Sequence, residues 1–325
     1  MLNKKIIGAL LALVLVLFYI TGWWVSQEPD MLVDEIKQSR QQLGNDAMIG
    51  YSTTTALIRV SETLLDKRGG YISNDIMPPF VFLDNMPAWE LGVLEMSRDL
   101  ALALRKDFSR SQSQSTENVH LKLAQPMFNI DHRNWAIPSA ESEYRKAIAK
   151  LYLYRTELAD PAKPDSQFYA RADNLRDWLN AVQKRLGSYS QRLSASVGQD
   201  RVNTDLAGET SARQSTNVAD SSMVKTSWWK LDDEFYEARG ASWALLHFLK
   251  AIETDFADVL QRKNAMVSLR QIIRELEATQ QTIWSPMILN GSGFGLMANH
   301  SLVMANYISR ANAALIDLSE LLTQG

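Results

Sequence analysis

A histidine beside an acid is the one arrangement in this sequence that could perform acid–base chemistry. Asp131 and His132 stand together in a polar stretch without helical periodicity. An imidazole next to a carboxylate can accept and release protons near neutral pH, which would suit a hydrolase. Because side chains of adjacent residues rarely point at one reacting atom, a solvated turn explains the pair more simply. Asp131 and His132 are therefore the only candidates for catalysis, and the turn is the competing interpretation.

Other patterns that support chemistry lack their partners. The histidines His120, His132, His247 and His300 are not spaced to place two imidazoles on one helix face, so no metal site is expected. The chain has no cysteine, which excludes thiol catalysis and disulfide bonds. The glycine-rich run 291–295 has no strand before it and no Lys-Ser/Thr pair after it, so we interpret it as a turn. No cofactor is expected.

The composition is that of a globular chain with a slight excess of acidic residues. The chain has 325 residues, of which 46% are hydrophobic and 22% charged, and its formal net charge is −3. Two of its positive charges, Lys4 and Lys5, precede a long apolar run, so the part beyond that run is more acidic still. A phosphate backbone would repel this charge, and nucleic acid is not an expected partner.

That apolar run, Ile6–Val25, contains no charged residue and determines where the rest of the chain lies. As a helix it would be about 30 Å long, which is the thickness of the hydrocarbon layer of a bilayer. The lysines before it and the acidic residues Glu28 and Asp30 after it predict a cytoplasmic tail of residues 1–5 and an external C-terminal part.

A cleaved signal peptide is the alternative interpretation of this run. Signal peptides have a shorter apolar core, of about 7–15 residues, followed by small residues at the cleavage site. Here the bulky residues Trp23, Trp24 and Val25 occupy that place. We therefore expect an uncleaved anchor that contacts the lipid bilayer through residues 6–25. The protein would then be a single-pass protein of the bacterial inner membrane with its C-terminal domain in the periplasm.

The remaining chain shows helical periodicity and no alternation typical of strands, which predicts an all-α fold. We expect a transmembrane helix followed by an antiparallel helical bundle. Residues 194–222 are small and polar, and we expect them to form a long, exposed, flexible loop. This loop would separate helical regions 26–193 and 223–325, as two subdomains or within one bundle. A coiled-coil seam is indicated by steps of four and three through Leu231, Phe235, Ala238, Ser242, Leu245, Leu249, Ile252, Phe256 and Val259.

Two apolar segments interrupt the helical pattern, one around Pro78 and Pro79 and one around the glycines 291–295. Together with the start of the helix that follows the first segment, these two segments place large side chains at positions where helix packing does not require them. These are Ile76, Met77, Phe80, Phe82, Trp89, Trp284 and Phe294. Most large apolar side chains belong to a core, so these residues could close the ends of the bundle. Alternatively, they form an interface with other envelope proteins or with the bilayer surface.

Three segments carry a resemblance to a known family. They read GGYISNDIMPP at Gly69–Pro79, PAWELG at Pro87–Gly92 and SWWKLDDEFYEARG at Ser227–Gly240. The chain resembles an uncharacterised proteobacterial family of single-anchored inner-membrane envelope proteins over most of its length. The resemblance implies this location and supplies no catalytic residue, cofactor or partner.

Two functions remain open at this point. The first is a membrane-anchored periplasmic helical protein that serves as an interaction or scaffold component of the cell envelope. The second is an envelope hydrolase that acts on a cell-wall or lipid substrate at Asp131 and His132. The absence of further catalytic patterns in the sequence favours the first.

Overall fold

A computed structural model describes residues 4–44, 48–111, 116–160, 162–163, 166–202, 221–285 and 287–324. Its α-helices are α1 Lys4–Val25, α2 Val33–Leu43, α3 Tyr51–Asp66, α4 Asn85–Ala103, α5 Val119–Phe128, α6 Ala140–Leu158, α7 Ala172–Ser194, α8 Leu231–Asp255, α9 Ala257–Arg262, α10 Met266–Ala278 and α11 His300–Thr323. Two strands, β1 Gln199–Val202 and β2 Ser221–Val224, form an antiparallel pair. The predicted all-α fold, an apolar N-terminal helix followed by a helical bundle, is confirmed.

Several helices begin at a side chain that accepts hydrogen bonds from the first free backbone N–H groups. Asn118 accepts from the N–H of His120 at 2.9 Å before α5. Asn299 does the same for the N–H of Leu302 at 2.8 Å before α11. Asparagine is favoured at this position because its side-chain oxygen satisfies donors that the helix itself leaves unpaired. These residues therefore set the start of each helix.

The strand pair lies at the two ends of the segment that was predicted to be one exposed loop. Gln199 lies opposite Val224, and Val202 lies opposite Ser221. This pairing could not be predicted, because the residues are mostly small or polar and do not alternate between apolar and polar faces. The rest of the predicted loop, residues 203–220, lies outside the described residues.

The centre of the bundle is α8, in which every residue from Ala238 to Leu249 is buried. A helix buried on all sides is a core helix, so α8 does not form a two-stranded coiled coil with a single partner. All nine residues of the predicted seam are nevertheless buried. Helix α4 runs beside α8 in the same direction, since Gly92 faces Glu237 and the ring of Phe108 lies 5.3 Å from that of Phe256.

Helix α3 runs antiparallel to α8, and α11 runs antiparallel to α10, since Lys263 before α10 donates to the carbonyl oxygen of Gln324 after α11. The N–H of Thr53 at the start of α3 donates to Asp255 at the end of α8 at 2.7 Å. Arg310 of α11 pairs with Glu275 near the end of α10 at 2.6 Å. Helices from both sides of the 194–222 segment contribute to one continuous cluster of buried apolar side chains. The two helical regions therefore share a core.

Helix α1 differs from the others because most of its surface is exposed. Its buried residues are Gly22 and Val25, both near its C-terminal end. Among the described residues, α1 is the one helix whose length and apolar composition, with a mean hydropathy of 2.4, would let it cross a membrane. The bundle holds this helix by its last turns.

Candidate functional site

The candidate site is the end of the bundle at which α1 joins it, called here the α1 end. Gly69 follows α3 with a φ of +81°, and a Cβ atom there would lie 2.7 Å from Cγ1 of Val25. A Cβ atom at Gly22 would lie 3.5 Å from the side chain of Leu83. The last turns of α1 are therefore packed against the connector between α3 and α4.

The chain that follows α1 is fixed by a buried arginine. Nε of Arg239, on α8, donates to both carboxylate oxygens of Glu28 at 2.6 and 2.8 Å. The same guanidinium donates to the carbonyl oxygens of Thr279 and Gln281 at 2.8 and 3.0 Å. Charge-assisted hydrogen bonds in a desolvated setting are among the strongest in proteins. Arg239 therefore joins the exit of α1, the central helix and the segment after α10.

A histidine forms the next attachment. The N–H of Leu32 donates to Nε2 of His247 at 2.9 Å, while Nδ1 of the same ring lies 2.7 Å from the carbonyl oxygen of Trp243. Since Nε2 accepts a hydrogen bond, the proton of the neutral ring is on Nδ1, which donates to Trp243. The ring is completely buried, and burial lowers its pKa to about 4.

This attachment predicts an acid-sensitive fold. Because the folded pKa of His247 is about 4 and the usual value is 6.5, the unfolded chain binds the proton first. The stability that His247 contributes is fully present above its unfolded pKa and is lost as the pH falls through this window, by roughly 3 kcal/mol in total. Urea unfolding of the full chain at a series of pH values measures this loss.

The variants His247→Gln and His132→Gln separate this effect from general acid unfolding. His247→Gln should start less stable and lose much of the pH dependence in this window, whereas His132→Gln, at a less buried ring, should keep most of it. An unchanged pH profile in His247→Gln would contradict the proposed role of the buried ring.

The predicted interface residues mostly lie at the α1 end with their side chains exposed. Ile76, Met77 and Phe82 are exposed in the connector between α3 and α4, Phe82 to 73%. Phe80 is half-buried and packs on the core. Trp284, which follows α10, is 94% exposed. The four exposed side chains therefore do not fill the end of the bundle as core residues, whereas Phe80 does so in part.

Trp89 is different and requires a correction. Its side chain is completely buried, and its ring lies 5.2 Å from that of Trp243. Helix α4 begins at Asn85, so Trp89 lies in its second turn, on the face that packs against α8. Trp89 is a core residue and is not available to a partner.

The last predicted interface residue, Phe294, lies at the tip of a short loop. The N–H of Gly291 donates to the carbonyl oxygen of Ala298 at 2.9 Å. The side chain of Asn299 donates to the carbonyl oxygen of Gly291 at 2.6 Å. These bonds close the loop and leave Phe294 and Leu296 fully exposed. The glycine run thus forms a turn that presents two apolar side chains.

Two exposed apolar residues that sequence analysis did not select lie in the connector between α5 and α6. Trp135 is 62% exposed, and Ile137 is fully exposed. The side chain of Asn74 donates to the carbonyl oxygen of Asn134 at 3.1 Å, which joins this connector to the one that packs on α1. Apolar residues in an otherwise polar, irregular stretch were the available signal.

Two further tryptophans were also missed. Trp228 and Trp229 form one 3₁₀ turn directly before α8 and are mostly exposed. Burial raises the pKa of Asp233, in the next turn, and the nearby charge of Asp84 raises it further. Since Asp84 follows Leu83, the start of α8 lies close to the connector that contacts α1. Both tryptophans therefore belong to the α1 end.

Among the residues that the structure describes, no catalytic group assembles around His132. Nδ1 of His132 lies 3.5 Å from Asp131, whose carboxylate is largely exposed and accepts the N–H of Arg133 at 3.0 Å. Burial lowers the pKa of His132, with Arg133 adding to that effect. A more distant carboxylate, that of Glu237, acts on the pKa of His132 in the opposite direction and raises it. Both oxygens of Glu237 already accept hydrogen bonds from Arg192, at 2.7 and 2.9 Å. Asp131 and His132 thus lie in a turn, and in the described part of the chain the second acid near the ring is already bound.

A cleft of about 440 Å³ opens beside Trp284 and is lined mainly by apolar side chains, among them Phe235 and Met304. Its two basic groups are already engaged: Arg239 as described, and His300 through Nδ1, which accepts the N–H of Leu289 at 3.1 Å. Within the described ranges, no three His, Asp or Glu side chains converge to hold a metal ion. The cleft offers shape and apolar surface, with its charged group already neutralised.

Comparison with known proteins gives one match. A family model described as an uncharacterized protein conserved in bacteria, DUF2333, matches residues 2–325. No curated protein and no solved structure matches the chain. The match covers the three segments that carried the resemblance and confirms that the chain resembles an uncharacterised bacterial family. The chain therefore belongs to the DUF2333 family of uncharacterized proteins conserved in bacteria.

Proposed function

We propose that this protein is a non-enzymatic scaffold of the bacterial cell envelope, tethered to the inner membrane by α1. In this proposal Lys4 and Lys5 remain in the cytoplasm, and the helical domain lies in the periplasm. The domain is held at the membrane surface in a fixed orientation, and its sides are free to contact other envelope proteins. The observation that carries the proposal is the attachment of the domain to the last turns of α1.

The attachment supports a scaffold because it is stiff. A flexible linker would leave a tethered domain free to rotate, whereas here the chain after α1 is bound through Glu28 and Leu32 within a few residues. Val25, the last residue of α1, is itself buried in the domain. A domain fixed in this way presents the same faces to neighbours on the membrane. The isolated pair Asp131 and His132 gives no comparable support to the hydrolase alternative.

The topology is tested with reporters fused to the C-terminus of the full chain. We expect a fused alkaline phosphatase, which is active only in the periplasm, to be active. We expect a fused fluorescent protein of the kind that matures only in the cytoplasm to show no fluorescence. N-terminal sequencing of the membrane-bound protein should recover residues before Val25. A fluorescent C-terminus, or a mature chain that begins beyond Val25, would contradict the tethered arrangement.

The scaffold role is tested by photocrosslinking in cells. A crosslinking amino acid is placed at Leu153 on α6, Val267 on α10 or Ile316 on α11, which are exposed apolar positions on the sides and far end. We expect a discrete crosslinked envelope protein from at least one position. The matched control carries the same residues behind a cleavable signal sequence in place of residues 1–25, and it should lose that product. Absence of any product from all three positions would overturn the scaffold role.

A further inference from the structure

The exposed aromatic side chains of the domain are confined to one end. Among the described residues outside α1, the exposed tryptophan and phenylalanine side chains are Phe82, Trp135, Trp228, Trp229, Trp284 and Phe294. All six lie on connectors of the α1 end. On α1 itself, Trp23 and Trp24 are exposed near the point at which the helix enters the domain. A distribution determined by chance exposure would not select one end of the molecule.

The depth of this end follows from the contact between Leu83 and Gly22. Gly22 is part of the apolar run 6–25 and lies about 4.5 Å before Val25 along the helix axis. If α1 spans a bilayer, the side chain of Leu83 lies at the edge of the hydrocarbon layer. Phe82, its neighbour and 73% exposed, must then lie among the lipid headgroups.

The other three connectors lie near the same level. Asn134 is hydrogen-bonded to Asn74, in the connector that contains Phe82. Asp233 of α8 lies near Asp84, and Arg239 joins Glu28, just after α1, to Gln281, just before Trp284. The exposed aromatic residues are therefore distributed around the exit of α1.

We propose that these aromatic side chains insert into the headgroup layer of the outer leaflet, so that the α1 end is seated on lipid. This inference rests on the proposed function, since it requires α1 to span the membrane. Tryptophan is enriched at this depth because its ring is apolar and its N–H is polar. A bilayer surface is the single partner that meets four separate connectors around a membrane-spanning helix. A protein partner would instead favour one contiguous patch.

The test uses an environment-sensitive fluorophore on single cysteines, which is direct because the chain contains no cysteine. The full chain is reconstituted into nanodiscs of phosphatidylethanolamine and phosphatidylglycerol, with and without headgroup-proximal doxyl lipid. Labels are attached to Phe294→Cys and Ile137→Cys, both at fully exposed positions where the exchange removes no packing. We expect a blue-shifted emission and loss of most of the signal when doxyl lipid is present.

Two further positions make the outcome unambiguous. Val267→Cys is the matched control, since Val267 is 75% exposed and lies about 18 Å along α10 from Thr279, which binds Arg239. Leu15→Cys, in the middle of α1, reports whether the helix is in the bilayer when the nanodiscs carry doxyl groups near the ends of the acyl chains, at the depth of this residue. Unquenched labels at 294 and 137 beside a quenched label at 15 would overturn the seating while the anchor stands. An unquenched label at 15 would overturn both proposals.

Discussion

Replacement of Gly92 by alanine is expected to lower the free energy of unfolding by about 3 kcal/mol, the upper part of the range for overpacked cores. A methyl group at this position would lie 2.0 Å from the carbonyl oxygen of Glu237 and 2.7 Å from the backbone nitrogen of Ala241. These are backbone atoms of α8, which cannot rotate away as a side chain would. The two central helices would have to separate, and urea or thermal unfolding measures the loss.

Gly240, on the opposite helix α8, gives an independent check. A methyl group at Gly240 would lie 2.1 Å from the carbonyl oxygen of Trp89, so Gly240→Ala should be destabilising for the same reason. Gly187→Ala is the matched control in the interior of α7, where the nearest atom would be 3.7 Å away. That exchange should stabilise the protein by up to about 1 kcal/mol because alanine favours the helix. If Gly92→Ala were as stable as Gly187→Ala, α4 and α8 could not be in backbone contact.

The two glycines show what a single sequence can and cannot reveal about packing. Gly92 and Gly240 both lie within the segments that carried the family resemblance, and an isolated glycine in a helical pattern indicates a close approach or a functional constraint. The sequence does not state which helix makes the approach. That each glycine lies against the backbone of the other helix, Gly92 against Glu237 and Gly240 against Trp89, depends on long-range contacts, which periodicity does not encode.

Helix periodicity predicted which segments form helices better than it predicted which helices pack against one another. The seam from Leu231 to Val259 is buried along its full length, as its spacing required. The spacing predicted one coiled-coil face, yet Ala238 to Leu249 is buried on every side. Small residues such as Ala241 and Ala244 count as neutral in a pattern of hydrophobic positions, although in the structure they allow close packing. The central place of α8 was therefore not predictable from its own sequence.

The α1 end was predictable in part. Phe82 and Trp284 stood out because prolines or glycines near them exclude a regular helix, and both are exposed. Trp89 was wrongly assigned to the interface. Its helix begins at Asn85, four residues before it, so its side chain lies on a helix face that packs in the core. Trp228 and Trp229 precede the helical pattern that begins at Leu231, and that pattern does not indicate whether they are exposed. Whether an apolar side chain in an irregular segment points inward or outward depends on tertiary contacts, and composition alone does not decide it.

The second large effect is expected from Glu90, whose carboxylate is completely buried. It pairs with the buried ammonium group of Lys67 and accepts the backbone N–H groups of Ile72 and Ser73 at 2.9 and 2.7 Å. Glu90→Gln would place a donor against these donors and leave the ammonium group unpaired. We expect a loss of roughly 3–5 kcal/mol of stability, as for other broken buried ion pairs, measured by urea unfolding.

An exposed ion pair is the matched control. Arg145 and Asp66 lie 2.8 Å apart with more than half of each side chain exposed, so Asp66→Asn should change stability by less than about 1 kcal/mol. A loss of similar size in Asp66→Asn and Glu90→Gln would mean that the burial of the pair Lys67–Glu90 adds nothing to the cost of breaking it.

The position of Glu90 also gives the prediction a structural readout. The N–H groups that its carboxylate binds belong to residues 72 and 73, shortly after Gly69, on which Val25 packs. A double exchange of Lys67 and Glu90 to methionine removes the unpaired charge and yet leaves both N–H groups without an acceptor. We therefore expect it to recover only part of the stability and to increase proteolysis between residues 69 and 84. Full recovery would show that Lys67, and not the turn beside α1, is what Glu90 holds in place.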